Sequence, residues 1–179
     1  MHILDIVQNS VVAQATNIEI KIEVDKKNDY LALFVNDNGK GMSPEFLQQV
    51  TDPYTTTRTT RKVGLDIPLL KQNAERAGGN MQIESFLGQG TTLKATLNPN
   101  NMDCLPMGDI AGVVSMLICS YPETNFLFSY KRVSEEFSIS TGYIVEALDG
   151  VPVNNPSVYP LVKELLSSNL DELQISELG

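Results

Sequence analysis

The sequence predicts an α+β chain, a two-layer α/β sandwich in which a mixed or antiparallel sheet is covered by helices. Three observations lead there. Asn17–Val24 (NIEIKIEV) alternates apolar and polar residues strictly, the pattern of a half-buried strand. A second strand-like run, Tyr30–Asp37 (YLALFVND), follows after the short turn DKKND, so the pair reads as an antiparallel hairpin. Helical and strand-like segments then run in the order α-β-β-α-α-β-β rather than alternating, which argues against a chain of βαβ units.

The elements follow in order. Residues 3–16 have apolar positions at 3, 4, 7, 11 and 15 and predict a helix. After the hairpin, Ser43-Pro44 is a helix start, with Ser as N-cap and Pro in the first turn, and a short helix runs to about Val50. Residues 51–64 (TDPYTTTRTTRKVG) lack periodicity and read as a long loop. The helix that follows stops at Gly78-Gly79. Residues 80–86 and 91–97 form two strands joined through the Gly-containing LGQG. Asn98–Asp103 (NPNNMD) has the composition of a linker. Beyond it come a helix over about 109–119, a hairpin over 125–130 and 136–141, a helix to Leu148, and a last amphipathic helix from Asn155-Pro156 through Leu166. The expected division is 1–100 as one domain and 101–179 as a small α/β module serving partner docking or dimerisation.

The totals exclude several classes. Of 179 residues, 42% are hydrophobic and 20% charged, a globular composition. The net charge is −9, with no dense Lys/Arg run, so nucleic acid and anionic membrane are not expected partners. Cys104 and Cys119 have no CxxC spacing and predict neither disulfide scaffold nor cysteine-zinc site. No apolar run approaches the ~20 residues of a membrane span. No basic region precedes the first apolar stretch, so no signal peptide is read and a cytoplasmic location is expected.

Two local patterns carry chemistry. In HILDIVQNS, His2, Asp5 and Asn9 interrupt an apolar helix at spacings of three and four, which stacks them on one face. Either this is the wet side of an amphipathic helix or the stripe holds a ligand. In DNGKGM, Asp37 ends an apolar strand and is followed by Gly39 and Gly41, which is either a plain Asx turn or a turn that lets a ligand approach the backbone.

With GQGTTLKATL downstream, these boxes resemble, in order and spacing, the GHKL superfamily of histidine kinase-like ATPases (gyrase, Hsp90, histidine kinase, MutL) with its Bergerat nucleotide-binding fold. The resemblance is strongest to the ATP-binding domain of bacterial sensor histidine kinases and to anti-sigma-factor serine kinases, and covers about residues 2–98. It implies ATP and Mg²⁺ as ligands. Asp5-x-x-x-Asn9 resembles the N box, with Asn9 the Mg²⁺ ligand and Asp5 in the place of the general base. Asp37 would accept from the adenine amino group, with Gly39, Gly41 and Met42 beside the base and Thr92 completing the adenine site through a water. Arg58, Arg61 and Lys62, in the stretch that resembles the lid, would meet phosphates. Gly64 and Leu65 would face them from a helix N-terminus.

The departures bear on turnover more than on binding. Asp5 is one methylene shorter than the Glu of many relatives, and Val12 stands where sensor kinases often have a basic residue. The second glycine box has become Lys62-Val63-Gly64-Leu65-Asp66-Ile67, with a carboxylate, Asp66, placed toward a triphosphate. The single histidine, His2, lies in the N box, so a phosphoacceptor helix is missing from this chain. The resemblance therefore implies an ATP-binding signalling or regulatory protein kinase (histidine or serine) or ATPase that acts on a separate phosphoacceptor or partner chain, with a homodimer among its assemblies. The alternative is a non-catalytic, nucleotide-gated protein-binding module, and a less favoured third is an ATP-driven clamp of the MutL or Hsp90 type.

Overall fold

The computed structural model describes residues 3–52 and 66–175. Helix α1 spans Ile3–Val12, followed by β1 (Asn17–Asp25), a 3₁₀ turn at Lys26–Asn28, β2 (Tyr30–Asp37) and α2 (Pro44–Thr51). Then come α3 (Asp66–Arg76), β3 (Asn80–Phe86), β4 (Gly90–Leu97), α4 (Ile110–Ser120), β5 (Asn125–Arg132), β6 (Glu135–Ser140), α5 (Thr141–Ala147) and α6 (Val158–Ile175). The six described strands form one mixed sheet in the order β3-β4-β2-β1-β5-β6. Every pairing is antiparallel except β1 with β5, which is parallel.

The alternation in β1 decides which face is covered. Ile18, Ile20, Ile22 and Val24 are buried, while Glu19, Lys21 and Glu23 point the other way. From β2, Leu31, Leu33 and Val35 join the buried side, and from β4, Leu93, Ala95 and Leu97. Helices α1, α3, α4 and α6 contribute Val7, Leu70, Leu117 and Leu166 to the same cluster. The opposite face is polar; there the Lys94 ammonium lies 5.1 Å from the Phe34 ring centroid. The two-layer α+β sandwich and the mixed sheet expected from the sequence are present.

Residues 101–175 carry no sheet of their own. Asn17 to Val24 pair in register with Asn125 to Arg132, so the second half of the chain extends the sheet of the first. Phe126, Phe128, Ile139 and Leu166 lie in the common core. The linker-like residues are tied down: the Asn98 N–H donates to the Ala77 carbonyl at 2.9 Å, and the Asn100 amide donates to the Lys26 carbonyl at 2.8 Å.

Two helices differ from their expected lengths. The first ends at Val12 rather than 16, because Gln14 takes a left-handed conformation (φ 59°). The Ala15 N–H then bonds the Ser10 carbonyl and the Gln14 N–H the Val11 carbonyl, a Schellman closure. The last helix runs to Ile175 rather than 166. Its buried stripe, Val158, Val162, Leu166 and Leu170, continues one turn further than the counted positions. Near its end the buried Arg132 guanidinium donates to the Leu173 carbonyl at 2.8 Å.

Candidate functional site

A cavity of about 440 Å³ opens between α1, the end of β2, α2 and the β3–β4 hairpin. Its volume is that of a small-molecule site. Helix α1 supplies Ile6, Asn9 and Ser10, at i, i+3 and i+4, and Ala13 follows just past its end, so one helical face forms one wall. The sheet supplies Val35, Asp37, Ile83, Thr91 and Leu93. Phe46 and Val50 of α2 and Ile67 of α3 complete an apolar enclosure. Among the described lining residues, Asp37 is the one carboxylate and Lys40 the one cation.

Asp37 is 8% exposed, and its position is held from two sides. The Ser10 hydroxyl donates to Oδ2 at 2.6 Å, and the Gly39 N–H donates to Oδ1 at 2.9 Å, closing an Asx turn. Each carboxylate oxygen has two lone pairs, so both retain accepting capacity toward the cavity. The next residue anchors the loop: Asn38 Oδ1 accepts from the Thr16 and Asn17 N–H groups, each at 2.9 Å.

The glycines act mainly through backbone approach. Gly41 has φ +66°, and a Cβ there would lie 2.0 Å from the Phe86 carbonyl oxygen. The loop thus seats directly on the hairpin, fixed by the Gly88 N–H donating to the Lys40 carbonyl at 2.7 Å. Gly39 does the same against α1, where a Cβ would meet Ala13 at 2.8 Å. Met42 lines the cavity, and its N–H donates to Ser85 Oγ at 2.8 Å. Ser85 Oγ in turn lies 2.7 Å from Thr91 Oγ1 and donates to the Gly90 carbonyl at 3.2 Å.

The sequence-derived residues divide into three groups. Asn9, Asp37, Gly41 and Met42 meet at the cavity, with Gly39 just behind it. Asp5 and Thr92 are not in its wall. Asp5 precedes the lining residue Ile6 and is half-buried outside the stripe. Thr92 lies on the opposite face of the sheet, exposed, donating to Asn36 Oδ1 at 2.8 Å. Strand alternation gives its place to Thr91, whose register partner is Asp37. Arg58, Arg61, Lys62, Gly64 and Leu65 lie outside the described residues, as does His2. Ser10, Ser85 and Thr91 were missed; for Ser10 and Thr91 a signal existed, since both share the inward periodicity of their elements.

One polar group in the cavity wall is left open. Asn9 Nδ2 is buried and has no hydrogen-bond partner among the described residues. A buried amide without a partner is costly. Rotation of the amide by half a turn exchanges its nitrogen for its oxygen, so the same position can donate to a ligand or present a hard oxygen to a cation. The donor set is thus compatible with a polar, cation-bearing ligand.

Comparison with known proteins gives the context. The model of the histidine kinase-, DNA gyrase B-, and HSP90-like ATPase family matches residues 2–101. The probable C4-dicarboxylate sensor kinase of Bacillus subtilis is 30% identical over 79 residues, covering 44% of this chain and 15% of that protein. Sensor protein SrrB of Staphylococcus aureus is 37% identical over 79 residues, covering 41% of this chain and 14% of that protein. The chain thus spans about one seventh of the length of these curated relatives. Among solved structures, the Aquifex aeolicus MutL ATPase domain complexed with ADP aligns over 76% of this chain and 61% of that one, with a TM-score of 0.45 and 18% identity. Because the matching family model spans more than half of the sequence, this chain belongs to the GHKL superfamily, the histidine kinase-, DNA gyrase B-, and HSP90-like ATPases.

Proposed function

We propose that the cavity binds the adenine end of ATP and that the chain works as a nucleotide-dependent signalling protein on a separate partner chain. One observation carries the reading: the one carboxylate among the described lining residues, Asp37, is buried in a largely apolar cavity with accepting capacity left over. An exocyclic amino group is the donor that such an acceptor selects. Thr91, opposite Asp37 across the β2–β4 pairing, offers a hydroxyl on the same face. Asn9, whose Nδ2 has no hydrogen-bond partner among the described residues, would hold Mg²⁺ through its amide oxygen. A bound divalent cation supplies charge neutralisation to phosphate oxygens. Among this chain's described residues, the binding work falls to Asp37, Thr91 and Asn9, and exclusion of water to Ile6, Val35, Ile83 and Leu93.

The sensor-kinase relatives favour a kinase acting on a partner, because the one histidine of this chain lies in the N box itself. A second reading, nucleotide binding without turnover, is favoured by Asp5: the residue in the place of the general base lies outside the cavity wall. Titration with ATP, ADP and GTP, with and without Mg²⁺, tests the binding. ATP binding that Mg²⁺ strengthens is the expected result; equal affinity for GTP, or no nucleotide binding, overturns it. Phosphate release and transfer to co-expressed partners then separate the two readings.

A further inference from the structure

The negative charge of this chain is segregated. Residues 1–100 carry eleven carboxylates and ten cations, and residues 101–179 carry eleven carboxylates and three cations, so −8 of the −9 lies in the second part. Over residues 135–175 the only cation is Lys163, and it is engaged with Asp109 at 3.2 Å.

The same acidic region exposes apolar side chains. A groove of about 450 Å³ runs between β6 and α6, lined by Leu127, Phe137, Ile139, Tyr143, Leu165 and Asn169. Tyr143 is 60% exposed and Leu165 40%; Leu161, one turn before Leu165 on the same helix face, is 59% exposed. Strand β6 ends the sheet, with β5 on one side and no described strand on the other. Its outer backbone edge is therefore a template for another strand. Exposed carboxylates flank the groove. Glu172 lies two turns beyond Leu165 on the same stripe of α6, and Glu146 one turn beyond Tyr143 on α5.

We infer that this groove docks an extended basic segment of a partner protein, which adds to the edge of β6. Strand addition gives main-chain hydrogen bonds, and alternate side chains fall on alternate faces. The surface offers an apolar stretch between carboxylates: apolar side chains of the segment enter the groove beside Leu165 and Tyr143, while Lys or Arg side chains toward its ends reach Glu146 and Glu172, further along the same helix faces. Charge selects this occupant over a second copy of the chain. A symmetric pair uses the same patch twice and would bring both sets of carboxylates together.

Three synthetic peptides of equal length serve as probes: alternating Lys-Val, Glu-Val and Lys-Ser. Titration of the full chain, followed by amide NMR shifts, should show Lys-Val binding at least tenfold tighter than the other two. The largest shifts are expected at residues 136–140 and along α6 near Leu165. Leu165→Asp, at a partly exposed position, should weaken Lys-Val binding at least tenfold while the remaining amide spectrum stays folded. Glu146→Lys combined with Glu172→Lys should reverse the preference toward Glu-Val. Equal binding of Lys-Val and Lys-Ser, or shifts confined to other surfaces, overturns the inference. So does a sedimenting dimer of the free chain that Leu165→Asp dissociates, because the groove then belongs to a second copy.

Discussion

Asp37 is held by two donors, and the consequences of changing it follow from their chemistry. In Asp37→Asn the amide oxygen can keep the Gly39 N–H bond, and the Ser10 hydroxyl can turn to accept from the new NH₂ group. The fold should survive while the directed acceptor for an amino group is lost. The expected result is ATP affinity lower by about 1.5–3 kcal/mol with little change in unfolding midpoint; unchanged affinity in the folded variant removes the adenine role. Asn9→Ala deletes a buried N–H that has no partner among the described residues, so no described hydrogen bond of that group is lost with it. It should weaken Mg²⁺-dependent binding selectively, and parallel titrations with and without Mg²⁺ that shift equally would make Asn9 structural. The two threonines give the sharpest contrast. Thr91→Val should weaken nucleotide binding and Thr92→Val should not, because alternation sends only the first into the cavity. That one-residue difference also marks where sequence reading stopped. GTT places two hydroxyls side by side, and only the pairing of β4 with β2 decides which one faces Asp37. In the same way Asp5 and Asn9 share a helix face at a spacing of four, yet the cavity meets that face one position on, at Ile6, Asn9 and Ser10.

Among the elements, α4 shows how a short acidic cap ties the second half of the chain together. Asp109 accepts from the Gly112 N–H at 3.0 Å as N-cap and pairs with Lys163 of α6. The Gly112 N–H, and after it the Lys163 ammonium, hold the Asp109 carboxyl below its ordinary value. A lowered carboxyl contributes stability that is present above the unfolded value and lost as pH falls through the folded one. Asp109→Ala should therefore cost about 1 kcal/mol near neutral pH, and the difference should vanish in acid, as denaturant titrations across that range would read. At α3, Asp66 occupies the first helical turn, where a carboxylate suits the helix dipole. If nucleotide phosphates face that end, Asp66→Gly should tighten ATP more than adenosine; calorimetry showing equal responses would separate α3 from the phosphates. Strands β1 and β4 and most helices were legible because their buried faces carry periods of two and 3.6. The end of α1 was not, since it depends on a left-handed glutamine; the last turns of α6 do continue its apolar stripe at Leu170, and the Arg132 guanidinium meets the Leu173 carbonyl there.

For the whole molecule, the parallel pairing of β1 with β5 joins what reads in sequence as two segments. Phe128 is fully buried in that junction. Phe128→Ala should cost about 3–5 kcal/mol, and hydrogen exchange should show β2 and β5 losing protection together; separate losses would mark two independent units. No motif announced this pairing, because contacts between residues more than a hundred positions apart leave no local period: Asn125 bonds Asn17 across 108 residues. The same separation sets a timetable for synthesis. Until residues 125–132 have left the ribosome, β1 presents an open edge beside four isoleucine and valine side chains that its later neighbours help to cover. Long-range pairing of this kind is slow and leaves nascent chains prone to association. Residues 17–24 therefore lean on residues 125–132, and a pause or truncation near residue 100 should yield a stickier and less stable species than the longer chain.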